Sequence, residues 1–144
     1  MKVYFDTSVL VAAAVKGHAH HGPAFSALEE SVAKGRHGFM SAHGMAELYA
    51  VLTRAPFTPA VYPSEAWQIL EQSFLPSMEV VALTAEEYRR VVRECASHGW
   101  AGGKIYDALH VQCARKAGCD RIYTFNVRDF QRLAPELQAK VCAP

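Results

Sequence analysis

Residues 3–10 read Val3-Tyr4-Phe5-Asp6-Thr7-Ser8-Val9-Leu10. Val3, Tyr4 and Phe5 are β-branched or aromatic and suit a short buried strand, whereas Thr7 or Ser8 is fit to cap a helix that begins at Val9. In a parallel α/β sheet, ligands bind outside the carboxyl ends of the strands. Asp6 leaves the strand at that end, beside helix amides that tolerate negative charge. Taken alone it is an N-cap; it becomes a functional carboxylate if other acids arrive at the same edge.

Working outward, Val9–Val15 continues a helix that is apolar nearly all round and is expected to end at Gly17. His18, His20 and His21 crowd the following turn, a surface cluster without nearby carboxylates and a poor metal site. Pro23 suits the first turn of a second helix, ended by Gly35, with Phe25, Leu28 and Val32 expected on one buried face. Residues 37–40 form a strand candidate, Ser41 a cap, and Ala42–Thr53 a helix with Met45, Leu48, Val51 and Leu52 toward the core. Glu47 lies inside that helix beside apolar neighbours, and His43 precedes it by four residues on the same side.

Three prolines between Pro56 and Pro63 mark an irregular connection, and a helix capped at Ser64 follows with Trp67, Ile69, Leu70 and Phe74 on its apolar side. Met78–Leu83 is the next strand. Thr84 and Glu87 have capping-box spacing for a helix carrying Tyr88, Val91, Val92 and Cys95. The glycine-containing loop 99–104 is not a phosphate-binding Walker loop, because Lys104 is followed by Ile105 rather than Ser or Thr. The next helix runs to Gly118 with Asp107 in its first turn. Residues 121–125 form the last clear strand, followed by Asn126 and Asp129, and Lys140–Cys142 is a candidate edge strand.

Strands alternating with helices predict an α/β protein: a three-layer α/β/α sandwich around a mainly parallel sheet of four or five strands, in one domain spanning 1–144. A formal net charge of +1 excludes an overall basic field, so any nucleic acid would be held by local groups or through metal ions. Only three apolar residues separate Lys2 from Asp6, too few for a secretory signal, and no apolar run approaches the ~20 residues of a membrane span. A cytoplasmic protein without membrane contact is expected, with Cys95, Cys113, Cys119 and Cys142 as reduced, mostly buried thiols.

On such a fold Asp6, Asn126 and Asp129 leave strand ends, Asp107 opens the helix before the last strand, and Glu47 follows the second strand by two helical turns. Carboxylates gathered at one edge repel, and a divalent cation is the best offset. Hard oxygen ligands suit Mg²⁺ or Mn²⁺, and phosphodiester hydrolysis is the matching chemistry.

Four stretches also carry a family likeness: VYFDTSVL from Val3, SAHGMAELYAVLTR from Ser41, GGKIYDALHVQCA from Gly102 and IYTFNVRDF from Ile122. In that order they resemble a PIN domain of the small VapC type, the ribonuclease toxins of bacterial toxin-antitoxin pairs. The resemblance implies a metal-dependent endoribonuclease with Asp6, Glu47 and Asp107 as metal-binding catalytic acids. A fourth acid usually follows the last strand; here that position is Asn126, with Asp129 the nearest carboxylate, which leaves the fourth role open between them. The resemblance further implies an RNA substrate, a cognate antitoxin and a homodimer. Thr7, Ser8, Asn126 and Lys104 are candidates for substrate contact, Arg54, Arg128 and Arg132 for phosphate contact.

Two rivals compete with this reading. A phosphatase with an Asp nucleophile would carry a second acid two residues after the first, where this chain has Ser8. A catalytically weak PIN-fold module that binds a protein partner is the other; three retained acids argue against it and Asn126 argues for it.

Overall fold

The computed structural model describes residues 1–35 and 37–144. Its strands are β1 (Lys2–Phe5), β2 (His37–Ser41), β3 (Met78–Val81), β4 (Arg121–Tyr123) and β5 (Val141–Cys142). They form one five-stranded sheet in the order β3-β2-β1-β4-β5, with every pairing parallel. The helices are α1 (Thr7–Ala14), α2 (His21–Ala33), α3 (Ala42–Arg54), α4 (Pro63–Ile69), α5 (Ala85–His98), α6 (Lys104–Ala117) and α7 (Val127–Leu133). A π-helical turn, Leu70–Phe74, extends α4, and a short 3₁₀ segment, Pro135–Lys140, leads into β5.

β1 occupies the centre because Val3, Tyr4 and Phe5 are apolar on both faces and all three are buried. The two-residue period sends Val3 and Phe5 into one core and Tyr4 into the other. The first core joins them to Leu10, Met40, Leu48, Leu52 and Phe74; the second joins Tyr4 to Phe39, Leu109, Ile122 and Phe130. These are the two interfaces of the expected α/β/α sandwich. At the carboxyl edge the Asp6 N–H donates to the Tyr123 carbonyl at 3.0 Å, which aligns the ends of β1 and β4.

Several expected details differ. Helix α1 begins at Thr7 rather than Val9, since the Asp6 carbonyl already accepts from the Val9 and Leu10 N–H groups at 3.0 and 3.2 Å. It stops at Ala14, before Gly17, where Val15 turns extended. The buried side of α2 is Ala24 and Ser31, whereas Phe25 and Val32 are 41% and 53% exposed, beside a surface groove of about 600 Å³. The i, i+3, i+7 spacing identifies an apolar stripe correctly but cannot say that small residues sit against α1. Trp67, Tyr88 and Val92 are likewise exposed, while Ala66, Leu70, Phe74, Val91 and Cys95 are buried. The caps at Ser41 and Thr84 form as expected, and Gly118 ends α6 at φ +66°. Helix α4 is capped instead at Tyr62, whose backbone N–H donates to Glu65 Oε2 at 2.9 Å.

Candidate active site

Asp6 occupies the N-cap position of α1, yet its side chain caps nothing. The residue is only 3% exposed, and its carboxylate accepts two hydroxyl hydrogen bonds at Oδ2, from Ser8 Oγ at 2.7 Å and from Thr124 Oγ1 at 2.9 Å. Ser8 Oγ also accepts the Phe125 N–H at 3.2 Å, and Thr124 Oγ1 accepts the Asn126 N–H at 3.0 Å. The ends of β1 and β4 are therefore stitched together through one carboxylate oxygen, which leaves Oδ1 outside these hydroxyl bonds, 3.5 Å from His110 Nε2.

Glu47, on the second turn of α3, meets Asp6 through His110. His110 Nε2 donates to Glu47 Oε1 at 2.7 Å and lies 3.5 Å from Asp6 Oδ1 and 3.3 Å from Thr7 Oγ1. Its Nδ1 is met by the Tyr4 hydroxyl at 2.7 Å, a group that can donate or accept as the imidazole requires. Ser41 Oγ lies 3.4 Å from the same Nδ1 and accepts the Gly44 N–H at 2.7 Å. A Cβ on Gly44 would stand 2.9 Å from Ser41 Oγ, 3.0 Å from His110 Cε1 and 3.2 Å from Thr7 Oγ1. Glycine at this point of α3 is what lets His110 approach.

The electrostatics follow from this arrangement. Burial opposes charge on His110, but the hydrogen bond to Glu47 and the charges of Asp6, Glu47 and Asp107 outweigh it and raise its pKa. Burial likewise works against ionised Glu47; the His110 hydrogen bond and charge, with His43, prevail and lower its pKa. Asp107 has no such relief. Burial first, then the charges of Asp6, Asp129 and Glu47, push its carboxyl from 3.8 up to about 6 against the countervailing His110.

A cleft of about 360 Å³ opens over these groups, lined by Asp6, Thr7, Ser8, Glu47, Asp107 and Asn126 on its polar side and by Val11, Val51, Phe125, His18 and His20 elsewhere. Six of the residues singled out in the sequence thus share one site. Lys104 and Asp129 do not line it. They border a neighbouring depression of about 50 Å³ with Trp100 and Arg132, from which Asp129 acts on Asp107 through charge. Of the two readings for the fourth position, Asn126 is in the cleft and Asp129 beside it.

His110, Thr124, Tyr4 and Gly44 are members of the site that sequence reasoning missed. His110 had a signal: it lies three residues after Asp107, hence on the same side of α6, as the one ionisable residue in an otherwise apolar buried stretch from Ala108 to Val111.

A hard divalent cation fits the acids of the cleft, since Asp6, Glu47 and Asp107 offer carboxylate oxygens, with the Thr7 and Ser8 hydroxyls and the Asn126 amide beside them. One buried polar atom at their edge is also unpartnered: His43 Nε2, 3.1 Å from Glu47 Oε1 but without hydrogen-bond geometry. Among the described residues no three His, Cys, Asp or Glu side chains stand at metal-holding separations. Mg²⁺ keeps several waters and takes one or two carboxylates directly, so a closed cage of protein ligands is not a requirement of that ion.

The PIN domain family model matches residues 3–135. Ribonuclease VapC40 of Mycobacterium tuberculosis is 34% identical over 136 residues, covering 92% of this chain and 95% of that protein. Ribonuclease VapC27 of the same species is 31% identical over 104 residues, 72% and 70% of the two chains. Among solved structures, VapC20 of M. tuberculosis, described as a sarcin-ricin loop cleaving toxin, superposes with a TM-score of 0.66 at 23% identity over 86% of this chain and 89% of its own. VapBC2 of Rickettsia felis, bound to a promoter DNA fragment, gives 0.64 at 22% identity over 92% and 93%. With a central parallel sheet, an acid at the end of its first strand and matches of this extent, the chain belongs to the PIN domain family, among its VapC-type members.

Proposed function

We propose that this chain is a metal-dependent endoribonuclease that hydrolyses RNA phosphodiester bonds as the toxin of a toxin-antitoxin pair, working as one PIN unit over 1–144. The observation that carries the proposal is one cleft that gathers Asp6, Glu47 and Asp107 at the end of the sheet, and Asp107 bears the cost of that gathering. A carboxyl pushed up to about 6 by burial and by the charges of Asp6, Asp129 and Glu47 is a site built against its own electrostatics, and bound cation relieves that repulsion. Asp6, Glu47 and Asp107 would hold Mg²⁺ or Mn²⁺. The chemistry such an ion supplies is neutralisation of phosphate charge and acidification of an attacking water.

The chain's own residues have definable parts. Asp6 is fixed by Ser8 and Thr124, so its Oδ1 does not need to be ordered when substrate arrives. His110 is a positioning residue that holds Glu47 Oε1 and keeps it ionised. Thr7, Ser8 and Asn126 border the place a scissile phosphate would take, and Lys104 and Arg132 supply phosphate contacts farther along the strand. An antitoxin partner, a homodimer and a cytoplasmic setting belong to the same reading. Ribonuclease names among the relatives support the activity, and VapBC2 supports the pairing. No helix among the described residues is long and apolar enough to cross a membrane.

Cleavage of single-stranded RNA should require added Mg²⁺ or Mn²⁺, stop in chelator, and vanish in Asp6→Asn, which keeps both hydroxyl partners and the fold. Full activity in Asp6→Asn with native-like thermal unfolding would sink the mechanism. One observation favours a binding module instead: His110 Nε2 already sits between Glu47 and Asp6, a built-in counter-charge. Calorimetric titration separates the two, since a module neutralised by His110 would take up no Mn²⁺.

A further inference from the structure

The cleft has a wall that phosphodiester chemistry does not require. His20 stacks on Phe125 with ring centroids 4.7 Å apart and planes at 26°, and both residues line the same cleft as the acids. Phe125 is half-buried against the core, while His20 is exposed, so the pair presents one anchored ring and one open ring.

This wall is held in register with the acids. The Phe125 N–H donates to Ser8 Oγ, which itself donates to Asp6 Oδ2. The turn carrying His20 is ordered by its own bonds: His18 N–H to the Val15 carbonyl at 2.9 Å, His20 N–H to His18 Nδ1 at 3.1 Å and His21 Nδ1 against the Ala12 carbonyl at 2.9 Å. His20 makes no helix-capping bond with its side chain, so its ring is not committed to α2.

We infer that the His20–Phe125 stack is a base platform, on which an unpaired nucleobase next to the scissile phosphate stacks against His20 with Phe125 as backing. The inference rests on the ribonuclease reading for its substrate class. Aromatic rings bind bases through their faces without regard to sequence, and a base stacked in a helix has no free face to offer, so the platform selects single-stranded or looped-out RNA. Val11 and Val51 continue the apolar lining that a base would meet and a phosphate would not.

The test uses the full chain with Asp6→Asn to prevent cleavage, and short mixed-sequence single-stranded RNAs carrying the fluorescent base aminopurine at each position in turn. One position should show strong quenching on binding. Adding His20→Ala should abolish that quenching and weaken binding about ten-fold, the size expected for losing one stacked base, while His20→Trp restores both. An RNA lacking the base at that position should bind equally well whether or not the His20→Ala substitution is present. Unchanged quenching and affinity in His20→Ala would overturn the platform, even if the wild-type chain cleaves RNA and Asp6→Asn does not. Conversely, His20-dependent quenching in a chain whose wild-type form never cleaves RNA would keep the platform and refute the nuclease.

Discussion

Replacing Asp107 by Asn should make the metal-free protein more stable near neutral pH, even though it removes a proposed metal ligand. In the folded chain this half-buried carboxyl binds its proton up to about pH 6, against an ordinary 3.8. A raised carboxyl pKa means that the folded state holds the proton more tightly than the unfolded state. Stability is then highest below the unfolded value, falls as pH rises through about 6, and stays lowered above it. At about 1.4 kcal/mol per pH unit the whole gap corresponds to about 3 kcal/mol, and solvent at the cleft screens it to about 1–2 kcal/mol.

Asn cannot ionise, so the variant escapes this loss and forgoes only the ~0.3–1 kcal/mol that a carboxylate gains in the first turn of α6. Urea unfolding in chelator should show Asp107→Asn ahead by about 1 kcal/mol at about pH 8, with the advantage gone at about pH 4. Added Mn²⁺ should stabilise the wild type more than the variant, because binding to the folded state alone raises stability. An Asn variant no more stable at the higher pH, or ahead by the same margin at both, would refute the electrostatic account.

Gly44→Ala, normally favourable inside a helix by about 1 kcal/mol, should instead cost roughly 1–3 kcal/mol, as a Cβ there presses on Ser41, His110 and Thr7; equal or higher thermal stability would mean that His110 is not held as described. His110→Gln should flatten the pH dependence above about 6.5: the raised His110 pKa gives the wild type stability that is full below that unfolded value and lost as pH climbs through the folded one, which urea midpoints at several pH values would read. Ser8→Ala removes the donor to Asp6 and the acceptor for the Phe125 N–H, so it should cost about 1–3 kcal/mol in unfolding and lower kcat more than KM for RNA; an unaltered kcat would remove Ser8 from the positioning of Asp6.

Much of the architecture is legible in the sequence because it is local. The apolar triplet before Asp6 marks a strand buried on both faces, and the caps at Ser41 and Thr84 and the glycine at 118 announce helix ends through bonds spanning three or four residues. Burial on α2 is less legible. Phe25 and Val32 have core-like chemistry and helical spacing, but whether a stripe is covered depends on which helix lies against it, and α1 comes to rest on Ala24.

By itself, the sequence determined an alternating α/β chain and an acid at the end of its first strand; the grouping of Glu47 and Asp107 with that acid, and the departure at Asn126, came from the family resemblance. Only the tertiary structure decided that Asp6 is gripped by Ser8 and Thr124 across two strands, that Asn126 and not Asp129 lines the cleft, and that His110 joins Asp6 to Glu47. The physical reason is range: caps and periodicities are written within a few residues, whereas the Asp6–Thr124 bond spans 118 positions and the His110–Glu47 bond 63, so their partners are chosen by how the sheet and helices pack.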